Sequence, residues 1–113
     1  MTDVLILGDT QRSAELRHEI PVDIVDMLLY AEVSGRRVAI AWSVEGDRIA
    51  AVDPTIEILH AETFSVDDLI REGVDFYDLA PANIVRQVQS LDLRSARVPS
   101  EFPVQFADAL REA

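Results

Sequence analysis

The chain has no cysteine and no lysine; all ten of its basic residues are arginine. Without cysteine there is no disulfide framework, no thiolate metal site and no thiol nucleophile. Without lysine there is no phosphate-cradling P-loop and no response-regulator-type switch, since each depends on that amine. Long apolar runs are absent too. Val4–Leu7 ("VLIL") is far short of the roughly 20 residues of a membrane span, and Met1-Thr2-Asp3 lacks the basic start of a signal peptide. Positive charge is scarce: 21 acidic residues against ten basic ones leave a formal net charge of −11. Such a surface repels a phosphate backbone and an anionic membrane alike, which argues against nucleic acid and membrane as partners. The expectation is a soluble, cytoplasmic protein.

What is there is enough for one domain. The chain has 113 residues, of which 49% are hydrophobic, near the commonest domain size. Val4–Leu7, stopped by Gly8-Asp9, predicts a buried strand. A loop follows, with a helical turn around Ala14–Arg17 that Pro21 must end, because proline disfavours the α region at Ile20. Met27–Val33 and Arg36–Trp42 flank Ser34-Gly35, a two-residue hairpin turn, and the second run is apolar on both faces, as a central strand is. Ser43–Val52 predicts a helix capped by Ser43 and weakened at Gly46 by about 1 kcal/mol relative to alanine. Ile56–Leu59 alternates as a strand.

Ser65, Asp68 and Gly73 mark the cap, first-turn acid and stop of a short helix. A longer helix is expected from Leu79 to Leu91, with Ile84, Val85, Val88 and Leu91 on one stripe and Pro81 in its first turn. Ala96–Val98 reads as a short strand. Pro103 opens a last helix with Val104, Ala107 and Leu110 on one side. Strands alternating with helices predict a three-layer α/β domain around a mixed, mostly parallel sheet. An α/β unit normally returns to its sheet, so a chain that stops at "REA" within a helix reads as a domain truncated before its last strand.

Four chemistries are weighed on these residues. One glycine after the first strand is not the Gly-rich turn of a dinucleotide site. Ser13, His18 and Asp9 lie close enough in sequence for a serine–histidine–carboxylate set, but no glycine-flanked serine supports it. Ser13 also reads as a helix cap. Asp67 and Asp78 have a spacing found in dinuclear metallopeptidases, yet no histidine follows to complete such a site; the two acids are explained by helix starts. The remaining polar cluster is Arg17-His18-Glu19, which either pairs within its own loop or reaches into a neighbouring pocket. There an arginine clamps a carboxylate and a histidine exchanges protons near neutral pH.

Taken together, Thr10–Pro21 with its "R-S-x-E-L-R-H-E-x-P" pattern, the hairpin Met27–Trp42, the "S-x-E-x-x-R-I" segment Ser43–Ile49 and the "V-P-x-x-F-P" segment Val98–Pro103 resemble bacterial Xaa-Pro peptidases of the creatinase/prolidase/aminopeptidase P type. The resemblance covers nearly the whole chain and lies in that family's N-terminal domain, with its ribonuclease H-like motif. It implies a non-catalytic accessory domain that builds a dimer and caps the partner subunit's active site. Two divalent metal ions belong to the "pita-bread" catalytic domain, which residues 1–113 do not include, and no cofactor is expected in this chain. The implied partners are that C-terminal domain, a second subunit, and a peptide with proline at its second position. Arg17, His18 and Glu19 fall where the resemblance implies substrate contact in trans, although better-known members carry an asparagine and a "YLTG" stretch there. The alternative is a free-standing acidic domain that dimerises or binds a small ligand.

Overall fold

The computed structural model describes residues 3–99 and 102–113. Met1, Thr2 and the two middle positions of the VPSEFP segment, Ser100 and Glu101, lie outside the described residues. In chain order the elements are β1 (Val4–Gly8), α1 (Ala14–Glu19), β2 (Leu28–Val33), β3 (Arg36–Ala41), α2 (Ser43–Val52), β4 (Ile56–His60), a 3₁₀ turn (Ala61–Thr63), α3 (Asp67–Arg71), α4 (Phe76–Ser90) and α5 (Val104–Glu112). No helix among the described residues is long and apolar enough to cross a membrane.

The sheet runs β1-β2-β3-β4. Its first two pairings are antiparallel and only β3–β4 is parallel. The sheet is therefore mixed, as expected, but not mostly parallel. Helix α1 does not carry the chain over the sheet to a parallel neighbour, so β2 returns directly against β1. Among the four strands, the parallel pair is the one joined by the crossover through α2. The expected strand Ala96–Val98 shrinks to one parallel bridge, with Leu5 N–H donating to Arg97 O at 2.9 Å and Arg97 N–H to Asp3 O at 2.9 Å.

Strand alternation sends side chains to two cores, one on each face. On one face Leu5, Leu7, Leu29, Ala31, Val38 and Ile40 pack under Ile84, Val88 and Leu91 near α4 and Phe106 of α5. On the other, Ile6, Tyr30, Ala39 and Ala41 pack under Leu16 and Ile20 of the α1 region and Ile49 of α2. The β2–β3 turn has Ser34 at φ 52° and Gly35 at φ 82°, the left-handed pair of a type I′ turn whose twist matches the hairpin.

Several helix ends differ from expectation. Ser43 is the first residue of α2 and not its cap; Trp42 holds the cap position without a side-chain bond. The carboxylate of Glu62, arriving after β4, accepts instead from Ser43 N–H at 3.1 Å and Ser43 Oγ at 2.5 Å. Ser65 Oγ accepts from Asp67 N–H at 3.1 Å, while Asp68 turns to Arg71. Gly73, at φ 84°, closes α3 with Gly73 N–H to Ile70 O and Val74 N–H to Leu69 O, the Schellman pattern.

Helix α4 starts three residues before Leu79, so Pro81 lies in its interior. The proline has no N–H for the Tyr77 carbonyl, and Gln105 Nε2 of α5 reaches that oxygen at 3.3 Å. On α5 the buried side chain is Phe106, and Val104 points outward with 72% exposure.

Gly46 is buried on α2. An added Cβ there would lie 2.6 Å from Ile58 Cγ2 of β4. The helix-propensity gain of alanine, about 1 kcal/mol, is then outweighed by an overpacking cost of about 1–3 kcal/mol. Gly46→Ala is expected to lower the denaturant midpoint, and to do so less when Ile58→Ala is also present. A double-mutant cycle by urea unfolding measures the difference. An unchanged or raised midpoint for Gly46→Ala alone would show that the helix sits further from the strand than this contact requires.

Candidate functional site at the α1 loop

The loop after β1 is built by three short polar side chains. Asp9 Oδ1 accepts from the N–H groups of Gln11 at 3.0 Å and Arg12 at 2.9 Å, turning the chain sharply. Ser13 Oγ accepts from Leu16 N–H at 3.1 Å and caps α1, as expected from its position. Thr10, 1% exposed, is the staple. Its hydroxyl donates to Val22 O at 2.5 Å and accepts from Ile24 N–H at 2.8 Å, and its own N–H reaches Ile24 O at 3.2 Å. Both ends of the loop are thus fixed on one buried hydroxyl, while Leu16 and Ile20 insert into the core beneath. Asp9 and Ser13 both serve backbone N–H groups, which leaves the serine–histidine–carboxylate reading without geometric support.

The three singled-out residues are adjacent on α1 but face different surroundings. Arg17 pairs with Asp23 at 3.2 Å, both side chains more than half exposed, so the pair is screened and contributes little to stability. His18 is exposed beside a shallow hollow that Val4, Ile6, Glu15 and Glu32 also line. Glu19 turns toward the sheet, where Arg37 Nη2 donates to its Oε2 and to its main-chain oxygen, each at 3.2 Å. Two side chains are presented to solvent and the third is anchored.

That anchor belongs to a network that the sequence reading did not single out. Arg37 of β3 donates from Nε to the Tyr30 hydroxyl at 3.0 Å, and from Nη1 to Asp53 Oδ2 at 2.7 Å and Thr55 Oγ1 at 3.2 Å. Its guanidinium carbon lies 5.8 Å from the Tyr30 ring centre, within cation–π range. The Tyr30 hydroxyl in turn donates to Glu32 at 2.8 Å. Register explains the meeting: Glu32 and Arg37 are directly opposed across the hairpin, and Tyr30, two residues from Glu32, shares its face.

Burial pushes the Tyr30 hydroxyl well above its usual 10.0, against the opposing pull of Arg37. Asp53 is held below its usual 3.8 first by the hydrogen bond from Thr55 and then by Arg37. Glu57 is held low by Arg36 and Glu62 by Ser43.

Among the described residues no three or more His, Asp or Glu side chains are grouped so as to hold a metal ion. Asp67 and Asp78 stand in the first turns of α3 and α4, where their charge suits the helix dipoles. Comparison with protein-family models, with curated proteins and with solved structures finds no match.

Arg37→Met keeps the aliphatic stem and removes all five donors. With the arginine 28% exposed, a loss of about 1–3 kcal/mol is expected. The loss depends on pH with a definite sign. Asp53 has a lower pKa folded than unfolded, so its contribution is present above pH 3.8 and is lost as pH falls through the folded value. The stability gap between wild type and Arg37→Met therefore narrows as pH falls through the carboxylate range, and only in part, because Thr55 carries the larger share of the shift. General relief of acid–acid repulsion is common to both chains and cancels in the difference. Urea unfolding of the pair across this range tests it; a gap that widens in acid contradicts the assignment.

Proposed function

We propose that this chain is the N-terminal accessory domain of a cytoplasmic, metal-dependent Xaa-Pro peptidase. In that reading it contributes to a dimer and covers the partner subunit's active site, and its fold is of the creatinase N-terminal type. The bonds made and broken belong to a separate catalytic domain carrying two divalent metal ions. This domain supplies shape and contacts only.

What supports the reading, beyond the sequence resemblance, is the way Arg17 and His18 are held. A six-residue helix on a stapled, capped loop presents a guanidinium and an imidazole outward while Glu19 fixes its last turn to the sheet. A rigid platform of this kind loses little entropy on meeting a ligand. Arg17 can exchange the exposed Asp23, which it meets through a single Nη2–Oδ1 contact, for a peptide carboxylate, and His18 can donate to or accept from a peptide carbonyl or amine. Glu19 keeps one carboxylate oxygen for such a contact, its Oε2 being engaged by Arg37.

The gene read past codon 113 is expected to encode two aspartates, a histidine and two glutamates of a dinuclear metal site. In the full-length enzyme, Arg17→Ala is expected to raise KM for an Xaa-Pro dipeptide about tenfold, the loss of one charge-assisted contact of about 1.4 kcal/mol. His18→Ala is expected to have a smaller effect. Both should leave the melting temperature within a degree or two, unlike Glu19→Gln, which weakens the Arg37 network. If the gene ends at codon 113, or if neither substitution alters KM, the peptidase reading is wrong.

A further inference from the structure

Residues of the segment 93–98 and of α5 line an open cavity of about 290 Å³ beside Leu5 of β1, at the small end of ligand sites. Its walls are apolar and incompletely covered. Leu93, Ala96 and Leu110 are only partly buried, and Val98 is 47% exposed. The cavity lies on the opposite face of the sheet from Leu16 and Ile20 of the α1 loop. Nothing in the peptidase reading uses it.

The charge around this cavity runs against that of the molecule. The chain holds 21 acids against ten arginines, yet among the described residues that line the cavity the charged ones are Arg94 and Arg111, with no acid beside them. Elsewhere Arg12, Arg17, Arg36, Arg37, Arg48 and Arg71 each meet a carboxylate of the chain itself. Arg94 is exposed and forms no such pair among the described residues. Arg111 meets Asp108 through one Nη1–Oδ1 contact at 3.2 Å, and both side chains are more than half exposed. A pair so solvated is weak and exchanges readily, and the contact engages one of five donors.

Two guanidiniums beside an apolar wall select a ligand at both of its ends. The body has to be apolar. The head has to be an anion that accepts in the plane of an arginine, as a carboxylate does. A cationic head is repelled, and a neutral chain leaves both guanidiniums unmatched. The net charge of −11 disfavours anions over the molecule at large, so saturable anion binding has to come from a local site.

We propose that this cavity binds a small monocarboxylate with an unbranched apolar body, the chain lying against Ala96 and Leu110 and the carboxylate accepting from Arg94 and Arg111. The inference stands apart from the peptidase reading, and neither fails with the other.

The probes are octanoate and octylammonium, which share a chain length and differ in the sign of the head group. Each is titrated below its micelle concentration into the isotope-labelled full chain, at an ionic strength of about 0.15 M where loose surface attraction is screened, and followed by amide NMR. Octanoate is expected to give saturable shifts centred on the amides of Ser95, Ala96 and Leu110, with octylammonium at least about tenfold weaker at those positions. Arg94→Gln, at an exposed position, is expected to weaken octanoate about fivefold at an unchanged melting temperature, and Arg94→Gln with Arg111→Gln about tenfold or more. Val98→Asp, which places an acid in the lining, is expected to abolish octanoate binding.

Three results would overturn the proposal. One is octanoate shifts that are absent, or that centre on another part of the chain. A second is equal binding of the two probes at the named amides, which is apolar contact alone. The third is octanoate binding undiminished in the folded double variant.

Discussion

One guanidinium ties the architecture together. Arg37 lies on a central strand, and its five donors reach the last turn of α1, the hydroxyl of Tyr30 on β2, and the Asp53-Thr55 turn that leads from α2 into β4. The first and last of these are places where the chain leaves one layer for another. Apolar packing sets the layers face to face but is indifferent to small slides. Directed bonds from a planar cation fix where each connection lands. Because arginine keeps its charge at any accessible pH, only its partners can titrate.

The network also explains the unequal fates of three neighbouring polar residues. Glu19 is drawn inward by Arg37, and in being drawn it orients the turn that carries Arg17 and His18. Had Glu19 lacked a partner, the short helix would have rested on Leu16 and on the Ser13 cap alone. An isolated helix of this length is far below the size that persists in water. Its definition is therefore tertiary, supplied by Thr10 from one side and Arg37 from the other.

This bears on what the residues alone could disclose. The hairpin, the buried first strand and the glycine stop after α3 were legible because each depends on a local rule: a two-residue turn, an apolar run, a left-handed C′ position. Ser13 as a cap was legible for the same reason. The direction of the strands was not, because a helix between two strands looks alike in sequence whether it crosses the sheet or only decorates a loop. Ser43 was misassigned because its competitor, Glu62, lies nineteen positions away. Pro81 within α4 was hidden similarly, its orphaned carbonyl being met by Gln105 of another helix. Thr10 and Arg37 gave no signal, since a threonine or an arginine acquires such importance only from partners that the fold delivers. The Arg17-His18-Glu19 cluster was visible as a cluster, but its division into presented and anchored members was not.

The pairings that close this sheet differ in the length of chain each must gather. Ser34 and Gly35 close the β2–β3 ladder with a two-residue loop, whereas the Arg97 bridge joins the first described residues of the chain to a segment beyond α4. Loop-closure entropy grows with the logarithm of the enclosed length. The hairpin is thus the least costly contact to form and the bridge among the most costly. Among the described residues the bridge has two backbone hydrogen bonds to offset that cost. Across one sheet, resistance to local opening is graded from a tight central turn to a lightly held margin, and hydrogen exchange would trace that gradient from Ala39 outward to Leu5.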